Sequence, residues 1–137
     1  MVNFLIVTHG EFGAYLVEAA ETIVGRQEGM RVVGISARLS VPEIRERIQR
    51  SVKELVGGDG LILFTDMPGG TPSNLSFPII KDAAKVSMIS GVNLYMLVSA
   101  FSHRYDLPFD RLVEKILNDG QKSIRDIRQM FLSSAKR

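Results

Sequence analysis

Short apolar runs alternate along this chain with segments of helical periodicity, and that alternation is the strongest constraint on its fold. The sequence predicts four strands, at about residues 2–8, 30–37, 61–65 and 85–90, because each is a short run rich in apolar and β-branched residues. The stretches between them carry apolar residues three or four positions apart, which is the spacing of a helix with one buried face. Strands that alternate with helices are typical of a parallel sheet covered by helices. We therefore expect an α/β fold with a mainly parallel sheet.

Capping residues predict where several helices begin and end. Residues 40–43, with the sequence Ser-Val-Pro-Glu, have the spacing of a capping box and predict a helix start. Thr71 is the expected N-cap of a later helix, with Pro72 in its first position, where a missing N–H costs nothing. Gly25 and Gly120 are the expected ends of two other helices, because glycine readily adopts the left-handed conformation found there.

The C-terminal tail fits two interpretations. From Ser123 onward, Ile124, Ile127 and Phe131 have helical spacing, but the segment could equally form a short antiparallel edge strand. The periodicity does not choose between them, so both stay open.

Composition excludes several classes of function. At 137 residues the chain is long enough for a core, and we expect a single domain over residues 1–137. Its formal net charge of +2 gives no field that would favour nucleic acid. The absence of cysteine excludes thiolate chemistry, and two histidines, His9 and His103, are too few for a His-rich metal site. The expected location is the cytoplasm, because the sequence shows no targeting signal and no apolar run long enough to span a bilayer.

Two residues that can carry chemistry directly follow predicted strands. His9 comes after the first apolar run and Asp66 after the third, so neighbouring strands would bring both to the carboxyl edge of the sheet. An imidazole can act as nucleophile and as leaving group, as a reversible phosphoryl carrier must. A carboxylate that accepts from one ring N–H fixes the tautomer and exposes the lone pair of the other nitrogen. We predict this catalytic pair, although Asp66 alone would also suit a simple turn.

The glycine-rich turn after Asp66 predicts a binding site for the phosphoryl group. Gly69 and Gly70 allow successive backbone N–H groups to converge, and the helix that follows adds unpaired N–H groups with partial positive charge. The hydroxyls of Thr71 and Ser73 are further candidate donors. The chain has neither a Walker lysine nor a G-x-G-x-x-G motif, so nucleotide binding is not favoured.

Three segments, at residues 5–10, 64–74 and 90–97, together resemble the mannose-type IIA component of the bacterial phosphoenolpyruvate-dependent sugar phosphotransferase system. The resemblance extends over most of the chain and implies a three-layer flavodoxin-like fold with helices on both faces of the sheet. It also implies that His9 takes a phosphoryl group from the phosphocarrier protein HPr and passes it to a IIB component, with Asp66 paired to the ring. Phosphorylation is then expected at Nε2, with no metal or organic cofactor.

The resemblance has further implications for assembly and partners. Members of this family are usually homodimers in which a C-terminal strand can cross to the partner subunit, and IIA works indirectly with the membrane components IIC and IID. Gly10, Met67, Pro68 and Tyr95 are the expected rim on which partners dock. At Tyr95 the family commonly has proline, and at Pro68 it often has a bulky apolar residue, so these two departures bear on the choice of partner.

Three other interpretations compete with a transport role. A free-standing IIA could signal the phosphorylation state of the cell by binding a regulatory partner. A histidine phosphatase is suggested by the string Thr8-His9-Gly10-Glu11, but Thr8 stands where those enzymes have a phosphate-binding arginine. A receiver domain would need an acidic cluster after the first strand, and this chain has Thr8 and His9 there.

Overall fold

A computed structural model, which describes residues 1–135, confirms the α/β fold and its parallel sheet. Its four strands are β1 (Asn3–His9), β2 (Met30–Ile35), β3 (Leu61–Thr65) and β4 (Val86–Ile89). They lie in the order β2-β1-β3-β4, and every pair is parallel. The chain leaves β1 toward one side to form β2 and then returns to the other side to form β3. The carboxyl ends of β1 and β3 therefore flank the position where strand order reverses, the usual ligand site of open α/β sheets.

Helices cover both faces of the sheet and form the outer two of three layers. They are α1 (Phe12–Val24), α2 (Val41–Leu55), α3 (Gly70–Ile80), α4 (Leu94–His103), α5 (Phe109–Lys122) and α6 (Ile127–Ala135). Helices α1, α4 and α5 pack on one face, and α2 and α3 pack on the other. The central strands supply both cores, because their alternate residues point to opposite faces and residues 4–8 of β1 and all of β3 are buried.

The predicted capping box is present. The Ser40 hydroxyl accepts from the Glu43 backbone N–H, and a Glu43 carboxylate oxygen accepts from the Ser40 backbone N–H. The resulting helix α2 buries Ile44, Ile48 and Val52 against the sheet, at the predicted spacing.

Two helix boundaries differ from the prediction. Helix α3 begins at Gly70 with Gly69 as N-cap, so Thr71 and Pro72 lie inside its first turn. The chain enters the helix early because both glycines adopt positive φ, of 79° each, which residues with a side chain rarely do. Helix α5 continues through Gly120 to Lys122, and Gly120 is buried against the side chain of Met96. Its role is close packing of α5 on α4 rather than helix termination.

The C-terminal segment is helical from Ile127 to Ala135. The structure places α6 over Ile127–Ala135, and within residues 1–135 it shows no strand after Ile89. None of residues 127–135 is buried, and Ile127, Phe131 and Leu132 are at least 46% exposed. The helix thus forms without contributing to either core. Within the described residues, no helix has the length and apolar character needed to cross a membrane.

Candidate functional site

The register of the sheet brings the two predicted catalytic residues together. Strand β1 pairs with β3 so that Val7 lies beside Thr65. His9 is the last residue of β1, and Asp66 directly follows β3. Because the strands are parallel, both residues emerge at the same edge of the sheet.

A single carboxylate oxygen of Asp66 contacts both the backbone and the side chain of His9. Asp66 Oδ2 accepts from the His9 backbone N–H at 2.9 Å and lies 2.8 Å from His9 Nδ1. An ionised carboxylate can only accept, so Nδ1 carries the proton and the lone pair is on Nε2. The His9 side chain is 51% exposed and that of Asp66 is 15% exposed. The arrangement presents a nucleophilic nitrogen to solvent and keeps its partner sheltered.

The environment of Asp66 favours its charged form. Burial raises the pKa of its carboxyl, but hydrogen bonds from the backbone and ring of His9, together with the charge of the ring, lower the pKa below its ordinary value overall. The second oxygen, Oδ1, is buried and has no hydrogen-bond partner among residues 1–135. The carboxylate is therefore bound almost entirely through its contacts with His9.

The first turn of α3 lies beside the His9 ring. A methyl group built on Gly70 would lie 3.5 Å from His9 Cε1 and 3.9 Å from Nε2. In the described part of the chain no side chain caps this helix, so its first N–H groups remain available to an anion. The structure thus places Gly70 beside the His9 ring, with Gly69 and Thr71 on either side of it in the chain.

Ser73 has a different position from the one expected of a phosphoryl-binding hydroxyl. It is only 7% exposed, and its hydroxyl donates to the Met67 backbone carbonyl at 2.8 Å. The same oxygen lies 2.9 Å from Thr65 Oγ1, which is also buried. These bonds join the end of β3, the turn and α3. Ser73 therefore holds the shape of the turn, and its hydroxyl is occupied there.

Four residues were expected to form a docking rim, and the structure divides them. Gly10, Met67 and Pro68 are exposed and lie in the two turns that carry His9 and Asp66. Tyr95 is 54% exposed at the start of α4. It lines an apolar groove with Leu94, Val98 and Ile124. The structure thus groups Tyr95 with the C-terminal segment.

Three small residues make close contacts near His9 that the sequence did not predict. The buried Thr8 accepts the Gly13 backbone N–H on its Oγ1 at 2.8 Å, which fixes the start of α1. A methyl group on Gly13 would lie 2.9 Å from Ile6 Cγ2, so α1 approaches β1 too closely for a side chain there. At Gly34 such a group would lie 2.5 Å from the Gly10 carbonyl oxygen. In the sequence, all three are small residues within or next to an apolar run. Such residues are too frequent in protein sequences to identify a contact near a functional site.

Within residues 1–135, no three or more His, Asp or Glu side chains lie close enough together to hold a metal ion.

Comparison with known proteins decides the family. Residues 3–117 match the family model for the fructose IIA component of the phosphotransferase system (PTS). The chain belongs to the fructose- and mannose-type IIA family of the PTS. This membership supports a role as a phosphocarrier in sugar phosphotransfer.

Curated relatives of this IIA family are similar over nearly the whole chain. The mannose-specific EIIAB component of Escherichia coli (strain K12) is 27% identical over 93% of the chain. The fructose-specific EIIA component of Bacillus subtilis (strain 168) is 25% identical over 91% of the chain and 86% of its own length. The chain spans only 40% of the length of the EIIAB proteins it matches.

Solved structures of IIA proteins share the fold. The phosphotransferase system component EIIA from Streptococcus agalactiae superposes with a TM-score of 0.84 and 30% identity, over 94% of this chain and 99% of that one. A PTS IIA protein associated with the fucose utilisation operon of Streptococcus pneumoniae gives a TM-score of 0.85 and 26% identity, over 95% and 96% of the two chains.

Proposed function

We propose that this IIA domain carries a phosphoryl group on His9, accepting it from HPr and passing it to a IIB component. The observation that carries the proposal is the 2.8 Å contact between His9 Nδ1 and Asp66 Oδ2, which leaves Nε2 free beside the amino end of α3. The pairing supplies a nucleophile of defined tautomer, and the helix supplies backbone donors.

The transfer step uses the lone pair of Nε2. Nε2 attacks the phosphorus atom, a new N–P bond forms, and the bond between phosphorus and the donor's histidine nitrogen breaks. Positive charge develops on the ring as the bond forms. Asp66 offsets that charge at Nδ1 and retains its hydrogen bond throughout. Passing the group to IIB reverses the same sequence with a new acceptor.

The amino end of α3 stabilises the transferred group. Three phosphoryl oxygens need donors, and the unpaired N–H groups at Gly70 and Thr71 begin a helix whose dipole favours negative charge. The Thr71 hydroxyl is a further candidate. Preorganised donors of this kind need no rearrangement when the group arrives.

The open position of His9 suits protein partners. Half of its side chain is exposed, and Gly10, Met67 and Pro68, in the turns that carry His9 and Asp66, are exposed as well. A donor histidine on another protein has to approach within bonding distance, which a closed pocket would prevent. We assign HPr and IIB to this surface, and we assign to the membrane components IIC and IID only an indirect association with this cytoplasmic domain.

Homodimer formation is also part of the proposal. Helix α6 exposes Ile127, Phe131 and Leu132, and an apolar groove of about 640 Å³ lies between Tyr95 and the C-terminal segment. Exposed apolar patches of this kind mark protein interfaces. A second copy of the chain that packs on this region would bury both the apolar groove and the exposed apolar side chains of α6.

The specificities of the relatives suggest the substrate class of the transport system. One is mannose-specific and another is fructose-specific. We therefore place this chain in the uptake of a hexose, although the IIA domain itself handles only the phosphoryl group.

The phosphatase alternative is not favoured by the geometry. The buried Thr8 hydroxyl is occupied by the Gly13 N–H, and Thr8 itself stands at the position of the expected arginine. His103 adjoins Arg104, which contacts the Val2 carbonyl at the amino end of β1. The only other histidine thus lies at the opposite end of that strand from His9.

A labelling experiment tests the proposal. Phosphoenolpyruvate, enzyme I and HPr should label the protein with an acid-labile, base-stable phosphate, and His9→Ala should abolish the label. His103→Ala is the matched control and should be labelled normally. Adding a IIB protein should then remove the label from the wild type. A label that persists in His9→Ala contradicts the assignment, and one that no IIB protein removes favours the regulatory role.

A further inference from the structure

Strand β2 forms an outer edge of the sheet and presents unpaired backbone groups. The carbonyls of Gly29 and Ile35 accept from β1. Because hydrogen-bonding direction alternates along a strand, the N–H and C=O groups of the intervening Val32 and Gly34 point away from β1. Within residues 1–135 no hydrogen bond joins these outward groups to another residue. This edge can therefore accept a further strand.

An arginine-lined groove runs along this edge. It has a volume of about 410 Å³ and lies between β2 and helix α2. Arg31 borders it from the strand, and Arg47 and Arg50 border it from the helix. Among the residues that line the groove, only Glu54 carries a carboxylate. Three arginines and one glutamate give the groove a formal net charge of +2.

The arginines are available to a partner. Arg31 pairs with Glu54 at 3.4 Å and Arg50 pairs with Glu46 at 2.8 Å, but all four side chains are at least 47% exposed. Exposed ion pairs contribute little net free energy to stability. Acidic side chains of a partner can therefore replace Glu54 and Glu46 at a small cost in free energy. Arg47 has no carboxylate within ion-pair distance among the described residues.

We propose that this β2 groove docks an extended acidic segment of a partner protein as an additional strand. The outward groups of Val32 and Gly34 supply the backbone ladder, and the arginines select acidic side chains on the α2 side. Side chains of an added strand alternate between faces, so every second residue of the segment meets the arginines. A strand paired along β2, which has six residues, would span about 20 Å.

The open edge of β2 and the arginine-lined groove together favour a peptide over a nucleic acid as the partner. A nucleic acid could contact the arginines through phosphate, but it has no backbone that matches alternating N–H and C=O groups. The groove lies on the opposite edge of the sheet from β4. Binding of a peptide there can be measured without phosphoryl transfer at His9.

Fluorescence anisotropy with a defined probe tests the proposal. The probe is a labelled six-residue peptide of alternating valine and glutamate, and we expect saturable binding that weakens as salt rises. The double variant Arg47→Glu/Arg50→Glu should weaken binding at least tenfold. Arg45→Glu is the matched control, because Arg45 is exposed on the same helix but does not line the groove, and it should bind as the wild type does.

Backbone readouts separate strand addition from simple charge attraction. Hydrogen exchange at the Val32 and Gly34 amides should slow when the peptide binds. A version of the peptide N-methylated at alternate residues, which cannot complete the ladder, should not bind. The proposal is overturned if the acidic probe shows no saturable binding or if the methylated peptide binds equally well. It is also overturned if a single-stranded oligonucleotide of the same charge binds as tightly.

Discussion

Asp66 holds His9 at two points through one oxygen, at the backbone N–H and at ring Nδ1. The backbone bond fixes the carboxylate relative to the end of β1, and the ring bond fixes the imidazole relative to the carboxylate. Together they define the direction of Nε2 without enclosing the ring. This geometry reconciles two needs of a phosphocarrier, an oriented nucleophile and an open approach for other proteins.

We expect Asp66→Asn to slow phosphorylation of His9 by at least about tenfold, on the scale of positioned acid–base groups. An amide oxygen can still accept from His9, but it carries no full charge to offset the charge on the ring. The amide NH₂ would then occupy the buried position of Oδ1, where no acceptor is present among the described residues. Rapid-quench transfer from phosphorylated HPr measures the rate.

Asp106→Asn is the matched control, because Asp106 is exposed and remote in sequence from both turns. It should transfer at the wild-type rate. An unchanged rate in Asp66→Asn would remove Asp66 from the mechanism.

The lowered pKa of Asp66 predicts a pH dependence of stability. A carboxyl whose pKa is lower in the folded state adds stability above its unfolded pKa and loses it as pH falls through the folded pKa. The stability advantage of the wild type over Asp66→Asn should therefore shrink as pH falls below about 4, near the ordinary pKa of aspartate. Urea denaturation of both proteins from neutral to acidic pH measures it. An advantage that grows on acidification would contradict the direction of the shift.

Ser73→Ala should loosen the turn that follows Asp66. The variant leaves the Met67 carbonyl and the buried Thr65 hydroxyl each without one partner. Unsatisfied buried groups cost about 1–3 kcal/mol, so we expect a loss of that size in the free energy of unfolding and slower labelling of His9. Ser134→Ala, on the exposed face of α6, is the control and should change neither. A fully stable Ser73→Ala variant that labels more slowly would instead place the hydroxyl on the phosphoryl group.

The sequence predicted the elements of the site better than the contacts that support them. His9 and Asp66 were identifiable because each follows an apolar run, and parallel strands bring such positions to one edge. The start of α3 was misplaced because Thr71-Pro72 is a good capping pair locally, while the positive φ of Gly69 and Gly70 is set by the turn back from β3. The tail was ambiguous because α6 buries nothing, so no contact with the core constrains its pattern.

The roles of Ser73 and Gly34 were also hard to predict from the sequence. A serine in a glycine-rich turn suits phosphate binding and turn support equally, and only the distance to the Met67 carbonyl separates these roles. Gly34 is one glycine in an apolar strand, and its importance comes from Gly10, which lies far away in sequence. Close approach between distant segments is a property of the assembled sheet, so the local pattern does not carry it.

Gly34→Ala should disturb the backbone at His9 from a neighbouring strand. The added methyl group would lie 2.5 Å from the Gly10 carbonyl oxygen, a contact that only backbone movement can relieve. Gly10 also donates its N–H to the Ile35 carbonyl at 2.8 Å, so a shift of Gly10 strains the bond that ends the β1–β2 ladder. Overpacking of this kind costs about 1–3 kcal/mol, and we expect a loss of that size together with changed ring resonances of His9.

Gly57→Ala is the control for this substitution, because a methyl group there meets no atom within 4 Å and the φ angle is not positive. Chemical denaturation gives the stability of both variants, and two-dimensional NMR of the histidine ring gives the local response. If Gly34→Ala matches Gly57→Ala in both measurements, the close approach of β2 to Gly10 does not position His9. If stability falls and the ring resonances stay unchanged, the contact supports the sheet but not the site. A loss of stability together with changed ring resonances, confined to Gly34→Ala, links the packing of β2 to the orientation of the His9 ring.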